Sequence, residues 1–256
     1  MSLDTALCIV PVCPIRQDAR HEQELTSQLL FGEAVEIVSA AGEWVEVRCL
    51  YDGYTGWCMA NQLERVPKAL AVQAPQQLVS DWVEEVEVNG EPMHIPYGSV
   101  LRGLEQGRAA WGSICIGYTG TALTAAPLAF TPENIRSVSA VYRNSPYLWG
   151  GRSVFGVDCS GFVQTVFRFF GKWLPRDASL QAGCGSDAGF LEEARCGDLA
   201  FFDNEEGRIV HVGLLLGDGD ILHAAGKVRL DRLDHAGILH STSGQRTHRL
   251  RMIRRY

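Results

Sequence analysis

The hydrophobic positions after residue 158 keep a helical period: Phe162, Val163, Val166, Phe167 and Phe170 recur at three- and four-residue spacing, which marks one buried helical face. Asp158, a good capping residue type, stands just before that run, so the pattern predicts a helix with Cys159 in its first turn. Farther on, Ile209-Val210-His211-Val212-Gly213-Leu214-Leu215-Leu216 is an apolar run of strand length ended by Gly217-Asp218-Gly219-Asp220. Ile221, Leu222 and His223 then read as the returning strand of a hairpin. Nearer the N-terminus, Ala6 to about Val66 reads as short strands and turns. Ala34–Val38 and Trp44–Arg48 are two of these strands; Trp44, Val45, Glu46 and Val47 alternate, and glycine-flanked Tyr54 and Trp57 mark a tight corner. A fainter copy runs from about Val72 to Leu123, through Pro92–Leu101 and Trp111–Gly117. Residues 67–77 and 124–132, rich in alanine, proline and glutamine, are the expected linkers.

A cysteine at the start of a helix has unpaired backbone N–H groups and the positive end of the helix dipole beside it, which favour the thiolate that attacks carbonyls. The alternative for Cys159 is a small buried core residue. Gly150 and Gly151, a short way upstream, permit close approach of backbone to substrate, and Tyr147 offers a hydroxyl; the structural alternative for Tyr147 and Trp149 is aromatic packing. Seven histidines are available as a base, and His211, inside an apolar strand, needs a polar partner. A plain two- or four-residue turn would oppose Leu214 to His223 and point the two imidazoles opposite ways. A three-residue loop with a glycine bulge opposes Gly213 to His223 instead, and puts His211 and His223 on one face, about 7 Å apart at Cα. Cys159 as nucleophile, His211 as base and His223 as its orienter then form a triad. With no Cys-x-x-Cys and no His-x-x-x-His, no metal site is expected.

Tyr147-Leu148-Trp149-Gly150-Gly151, Asp158-Cys159-Ser160-Gly161-Phe162, Leu174-Pro175-Arg176-Asp177-Ala178, Gly197-Asp198-Leu199-Ala200-Phe201-Phe202, His211-Val212-Gly213 and Ile221-Leu222-His223 together resemble, in order, the motifs of the NlpC/P60 family of cell-wall peptidases. The resemblance implies an α+β fold with a papain-like catalytic domain over residues 127–256, in which Cys159, His211 and His223 match the catalytic residues and Tyr147 polarises the substrate carbonyl at the oxyanion site. Residues 1–68 resemble a bacterial SH3 domain, and 69–126 a second, divergent SH3-like domain.

Two small barrels ahead of such a core resemble the subgroup that cleaves free γ-D-glutamyl peptides from murein turnover and leaves L-Ala-D-Glu as the acyl product. In that subgroup the first barrel helps to bind the free amine of L-alanine, which calls for a buried acid, because an unpaired ammonium is expensive to desolvate. Asp177 matches the family's acidic residue, Tyr54 in the Gly-Tyr-x-Gly-Trp corner matches next, and Glu24 third. Arg176 would orient Asp177 or a substrate carboxylate, and Ser160 would reach the substrate backbone or cap the helix; Asp158 and Trp149 complete the substrate-binding candidates. The implied chemistry is thiolate attack on the γ-carbonyl of D-glutamate, followed by hydrolysis of the thioester, with no cofactor. Whether the third peptide residue is diaminopimelate or lysine is left open. The competing readings are a catalytically dead peptide-binding protein, a cysteine-dependent acyltransferase, and a wall-remodelling endopeptidase acting on cross-linked peptidoglycan.

Composition narrows the partners. A formal charge of −7 over 256 residues argues against nucleic acid and gives no reason to expect adhesion to anionic wall polymers, so a soluble murein peptide fits best. The arginines from Arg246 to Arg255 read as a solvated tail, with a binding patch as the alternative. Without a basic n-region or long apolar segment, a cytoplasmic enzyme recycling wall peptides is expected, or a periplasmic or secreted one if a signal has been removed. Eight scattered cysteines make no small-domain disulfide framework, and reduced thiols are the simpler reading. A monomer is favoured and no membrane partner is expected.

Overall fold

The computed structural model describes residues 4–73, 77–125 and 127–256. The chain divides into two compact units, one running to Pro127 and taking in Trp149–Val154, the other made of Leu128–Leu148 and Phe155–Tyr256.

In the first unit, valines and cysteines on alternating strand positions build a small antiparallel barrel. Its seven strands follow the order Leu25–Leu30, Val12–Arg16, Thr55–Met59, Trp44–Cys49, Ala34–Ala41, Asp4–Cys8 and Leu63–Val66. Cys8, Cys13, Cys49 and Cys58 lie in its core with Ile15, Val35, Val45 and Val47, so half of the eight cysteines, all of them free thiols, act as small apolar residues. Glu24 lies just ahead of the strand Leu25–Leu30.

The second set of strands pairs as Glu91–Pro96, Val83–Val88, Ile114–Gly117 and Arg108–Trp111, beside the pair Gln77–Val79 and Leu123–Ala125. The two barrels share one core: Leu7, Phe31 and Val66 of the first pack with Val79, Ile95 and Trp111 of the second. Gly32 permits this close approach. Its φ is +76°, and a Cβ there would stand 1.9 Å from the carbonyl oxygen of Val100. Much of the expected linker at 67–77 is therefore structural: Lys68–Ala71 is a short helix whose Leu70 and Ala71 join the shared core, while 74–76, like Ala126 of the other expected linker, lie outside the described residues. Arg152, in the 149–154 segment, is anchored within this unit by a buried bidentate pair with Glu33, at 2.7 and 3.0 Å, and by a 2.7 Å hydrogen bond from Nη1 to the carbonyl of Gln28.

The second unit sets helices against a barrel-like antiparallel sheet. The strands run Arg246–Arg255, Leu199–Asp203, Ile209–Gly217, Asp220–Ala225, Lys227–Asp234 and Gly237–Leu239, and the last pairs again with Arg246–Arg255, so the sheet closes on itself. Phe202, Leu215, Ile221, Leu233, Ile238 and Ile253 pack together as one core cluster of this unit. The arginine-rich end is thus a strand of the second unit and not a solvated tail. Its arginines pair with aspartates of neighbouring strands and turns, Arg249 with Asp203 at 2.8 Å, Arg255 with Asp198 at 2.7 Å, and Arg246 with Asp234. The helix Pro132–Ala140 is capped by Thr131, which accepts from the N–H of Asn134. The helix Cys159–Arg168 is buried on every side, not only along the predicted stripe, and Phe170 falls just past its end.

Candidate active site

Asp158 caps the buried helix by accepting a 2.7 Å hydrogen bond from the N–H of Gly161, which leaves Cys159 as the first helical residue, as its sequence context predicts. The Asp158 carboxylate is buried and held by the Arg176 guanidinium, whose Nη1 donates both to Asp158 Oδ1 at 3.0 Å and to Ser160 Oγ at 2.9 Å. Arg176 thus holds Asp158, and Ser160 is tied into this pair while Asp158 does the capping. Asp177 is exposed at the start of the short helix Ala178–Gln181, whereas Asp158 is buried.

Tyr147 is fixed near Cys159 by backbone: its N–H donates to Gly226 O at 2.9 Å, and the next N–H, of Leu148, donates to Val157 O at 3.1 Å. Burial, then the nearby Cys159 and Asp158, push its hydroxyl up to about 12, so it stays protonated and able to donate. Gly150 has φ +75°, but the close approach it allows is to the backbone of Leu25, where a Cβ would stand 2.4 Å from the carbonyl oxygen. Trp149 belongs to the first unit, where its indole N–H donates to Glu24 Oε1 at 2.6 Å, and Tyr54 is partly buried against that unit's barrel core.

The hairpin brings His211 and His223 together. Gly213 does oppose His223, but the loop is a two-residue turn at Asp218 and Gly219, with φ +53° and +77°, and the extra residue sits in the strand between Leu215 and Gly217. That bulge shifts the register by one and puts both imidazoles on one face. His211 Nε2 lies 2.8 Å from His223 Nδ1, and His223 Nε2 lies 3.0 Å from Asp231 Oδ2. Each step is a diagonal across adjacent strands, because Gly213 pairs with His223 and His223 pairs with Arg229. His248 stacks on His211 with ring centroids 4.2 Å apart.

Sequence reasoning missed Asp231 and His248. Asp231 lies two residues past the position opposite His223, on the same face of the next strand, a register that only the sheet pairing supplies.

Electrostatically the resting site is neutral. Burial and the Asp158 carboxylate push the Cys159 thiol up to about 12, against the opposing pull of the backbone N–H groups of Val212 and Ser160 and of Arg176. The helix start does not by itself favour a thiolate here, so ionising Cys159 calls for a proton acceptor. The N–H of Val212 that reaches the sulfur belongs to the residue after His211. Burial, reinforced by His223 and His248, holds His211 well below 6.5, and burial lowers His223 to about 4 despite Asp231. Both are therefore neutral near pH 7.

This has a stability consequence. The unfolded chain protonates these histidines near 6.5, whereas folded His223 resists down to about 4, so the stability present above 6.5 is lost as pH falls through that window. The expected loss is about 1.4 kcal/mol per pH unit for each such histidine. Thermal melts across the window should show a shallower slope for His223→Asn than for the native protein.

Among the described residues, no helix is long and apolar enough to cross a membrane. Comparison with known proteins agrees with the motif pattern. The NlpC/P60 family matches residues 144–247, and the bacterial dipeptidyl-peptidase SH3 domain matches residues 15–63. A gamma-D-glutamyl-L-lysine dipeptidyl-peptidase of Bacillus subtilis (strain 168) is 34% identical over 216 residues, covering 78% of this chain and 72% of the relative. A protein of the same name from Bacillus cereus (strain ATCC 10987 / NRS 248) is 28% identical over 258 residues, covering 88% and 76%. The crystal structure of an NlpC/P60 family protein from Bacillus cereus ATCC 10987 superposes with a TM-score of 0.81 at 21% identity, covering 98% of this chain and 99% of the other, a likeness of fold. With its cysteine at a capped helix start and its histidines on the facing hairpin, this chain belongs to the NlpC/P60 family of cysteine peptidases, hydrolases of peptidoglycan peptides, and carries an SH3 domain of the dipeptidyl-peptidase type.

Proposed function

We propose that this chain is a γ-D-glutamyl–diamino acid dipeptidyl-peptidase acting on soluble murein peptides whose L-alanine amine is free. The observation that carries the reading is the grouping, in one unit, of a buried cysteine, a neutral histidine pair and a protonated tyrosine. Relatives bearing that activity in their names support the choice of bond. Cys159 gives its proton to His211 as its sulfur bonds to the γ-carbonyl carbon of D-glutamate, and Tyr147 donates to the developing oxyanion. The carbon–nitrogen bond then breaks, and the leaving amine of the diamino acid takes the proton from His211. Water, deprotonated by His211, attacks the thioester; L-Ala-D-Glu leaves with a new carboxylate, and the proton returns to Cys159.

Asp158 is the proposed partner of the substrate ammonium, because its carboxylate is buried beside the nucleophile and fixed by Arg176. An exposed carboxylate such as Asp177 contributes little in water, so its role is secondary. Hydrolysis rather than acyl transfer, and recycling of wall peptides rather than wall remodelling, complete the proposal. The test is digestion of L-Ala-γ-D-Glu-L-Lys and its diaminopimelate counterpart with product masses read out. Release of L-Ala-D-Glu and the free diamino acid is expected. Cleavage after L-alanine, or acyl products formed only with added amines, would overturn the reading.

A further inference from the structure

Asp231 is a fully engaged carboxylate of the second unit, and its side chain is 1% exposed. Its Oδ1 accepts from the N–H of Ser241 at 2.8 Å and from Arg229 Nη2 at 3.0 Å; its Oδ2 faces His223 Nε2 at 3.0 Å and forms an ion pair with Arg229 Nε at 2.8 Å. Those donors, against the cost of burial, hold its carboxyl well below the usual carboxylate range, so it is ionised and only accepts.

Proton positions follow one after another. His223 Nε2 must carry a hydrogen to donate to Asp231. Being neutral, His223 then has a bare Nδ1 that accepts. The 2.8 Å contact to His211 Nε2 is a hydrogen bond only if His211 carries its proton there. The remaining nitrogen, His211 Nδ1, is left with a free lone pair. The other charged or titratable groups at this array are Arg229, which faces Asp231, and His248, which stacks on His211 from the Arg246–Arg255 strand.

We propose that Asp231, locked by Arg229 and the Ser241 N–H, is the positioning residue that sets the tautomers of His223 and His211 and thereby makes His211 Nδ1 the basic nitrogen. This rests on the reading of Cys159 and His211 as nucleophile and base, and extends it from three residues to a four-membered array.

Asp231→Asn tests the polarity of the array. Arg229 Nη2 and the Ser241 N–H both hydrogen-bond to the Oδ1 position, whereas Arg229 Nε, though close to Oδ2, makes no hydrogen bond, so the amide oxygen goes to Oδ1 and the amide NH2 faces His223. His223 Nε2 must then accept, its Nδ1–H must donate to His211 Nε2, and the His211 proton moves to Nδ1, where the base should be. The expected result is a fall of at least about 100-fold in kcat with KM changed less than about threefold, and a fold retained by circular dichroism. Nitrogen-15 spectra of histidine-labelled native protein near neutral pH should show both His211 and His223 protonated at Nε2, and the variant should show both protonated at Nδ1. Native His211 protonated at Nδ1 would overturn the proposal even if the variant did not fold, as would a folded variant with native kcat. Activity surviving in Cys159→Ala would instead sink the nucleophile reading, and the tautomers of the native protein would still decide this one.

Discussion

Cys159→Ala is expected to lower kcat by about 10⁵-fold or more while leaving melting temperature and circular dichroism close to native. The size follows from losing the covalent route altogether, which leaves only binding and the oxyanion donor. The fold survives because the helix start is held elsewhere: Asp158 keeps its bond to the N–H of Gly161 and its pairing with Arg176, neither of which involves the sulfur. Removing a thiol that burial holds at about 12 also leaves no buried charge uncompensated. Steady-state assay on L-Ala-γ-D-Glu-L-Lys checks this, and native turnover by the variant would refute the assignment.

His211→Ala is the second large effect, with kcat expected to fall by about 10⁴- to 10⁶-fold. Because the thiol sits far above neutral pH and relies on the base for its deprotonation, removal of His211 should also slow alkylation of Cys159 by iodoacetamide, a readout independent of any peptide. The double variant Cys159→Ala/His211→Ala should lose no more activity than either single one, since the two act as a unit. Additive losses would mean separate roles. A stability cost is also expected, because His223 Nδ1 would lose its partner in a buried place.

How much of this was written locally in the chain differs from one element to the next. The Cys159 helix was legible because cap, nucleophile and apolar period are contiguous. The pairing of Gly213 with His223 was legible as one of two registers, but the device that selects it, a bulge at Leu216 beside a two-residue turn, depends on the neighbouring strands and not on the loop residues alone. Asp231 went unseen because nothing local in the charged run Arg229, Asp231, Arg232 and Asp234 marks one carboxylate as different, and its burial and its contact with His223 depend on the pairing of separate strands. Misreading the Arg246–Arg255 strand has a similar origin: its arginines are neutralised by Asp198, Asp203 and Asp234, all distant in sequence, and His248 was lost with it. The shared core of the two barrels is equally non-local, with Phe31 and Trp111 at ring centroids 5.0 Å apart.

The central claim, a peptidase that reads a free amino terminus, is tested most directly by comparing kcat/KM for L-Ala-γ-D-Glu-L-Lys with that for its N-acetylated form. Acetylation removes the ammonium and leaves the buried carboxylate of Asp158 facing an uncharged amide, a mismatch expected to cost about 100-fold or more. The account predicts efficient release of L-Ala-D-Glu from the free peptide and at least that loss on acetylation. Equal cleavage of both would contradict it and move the function to wall remodelling.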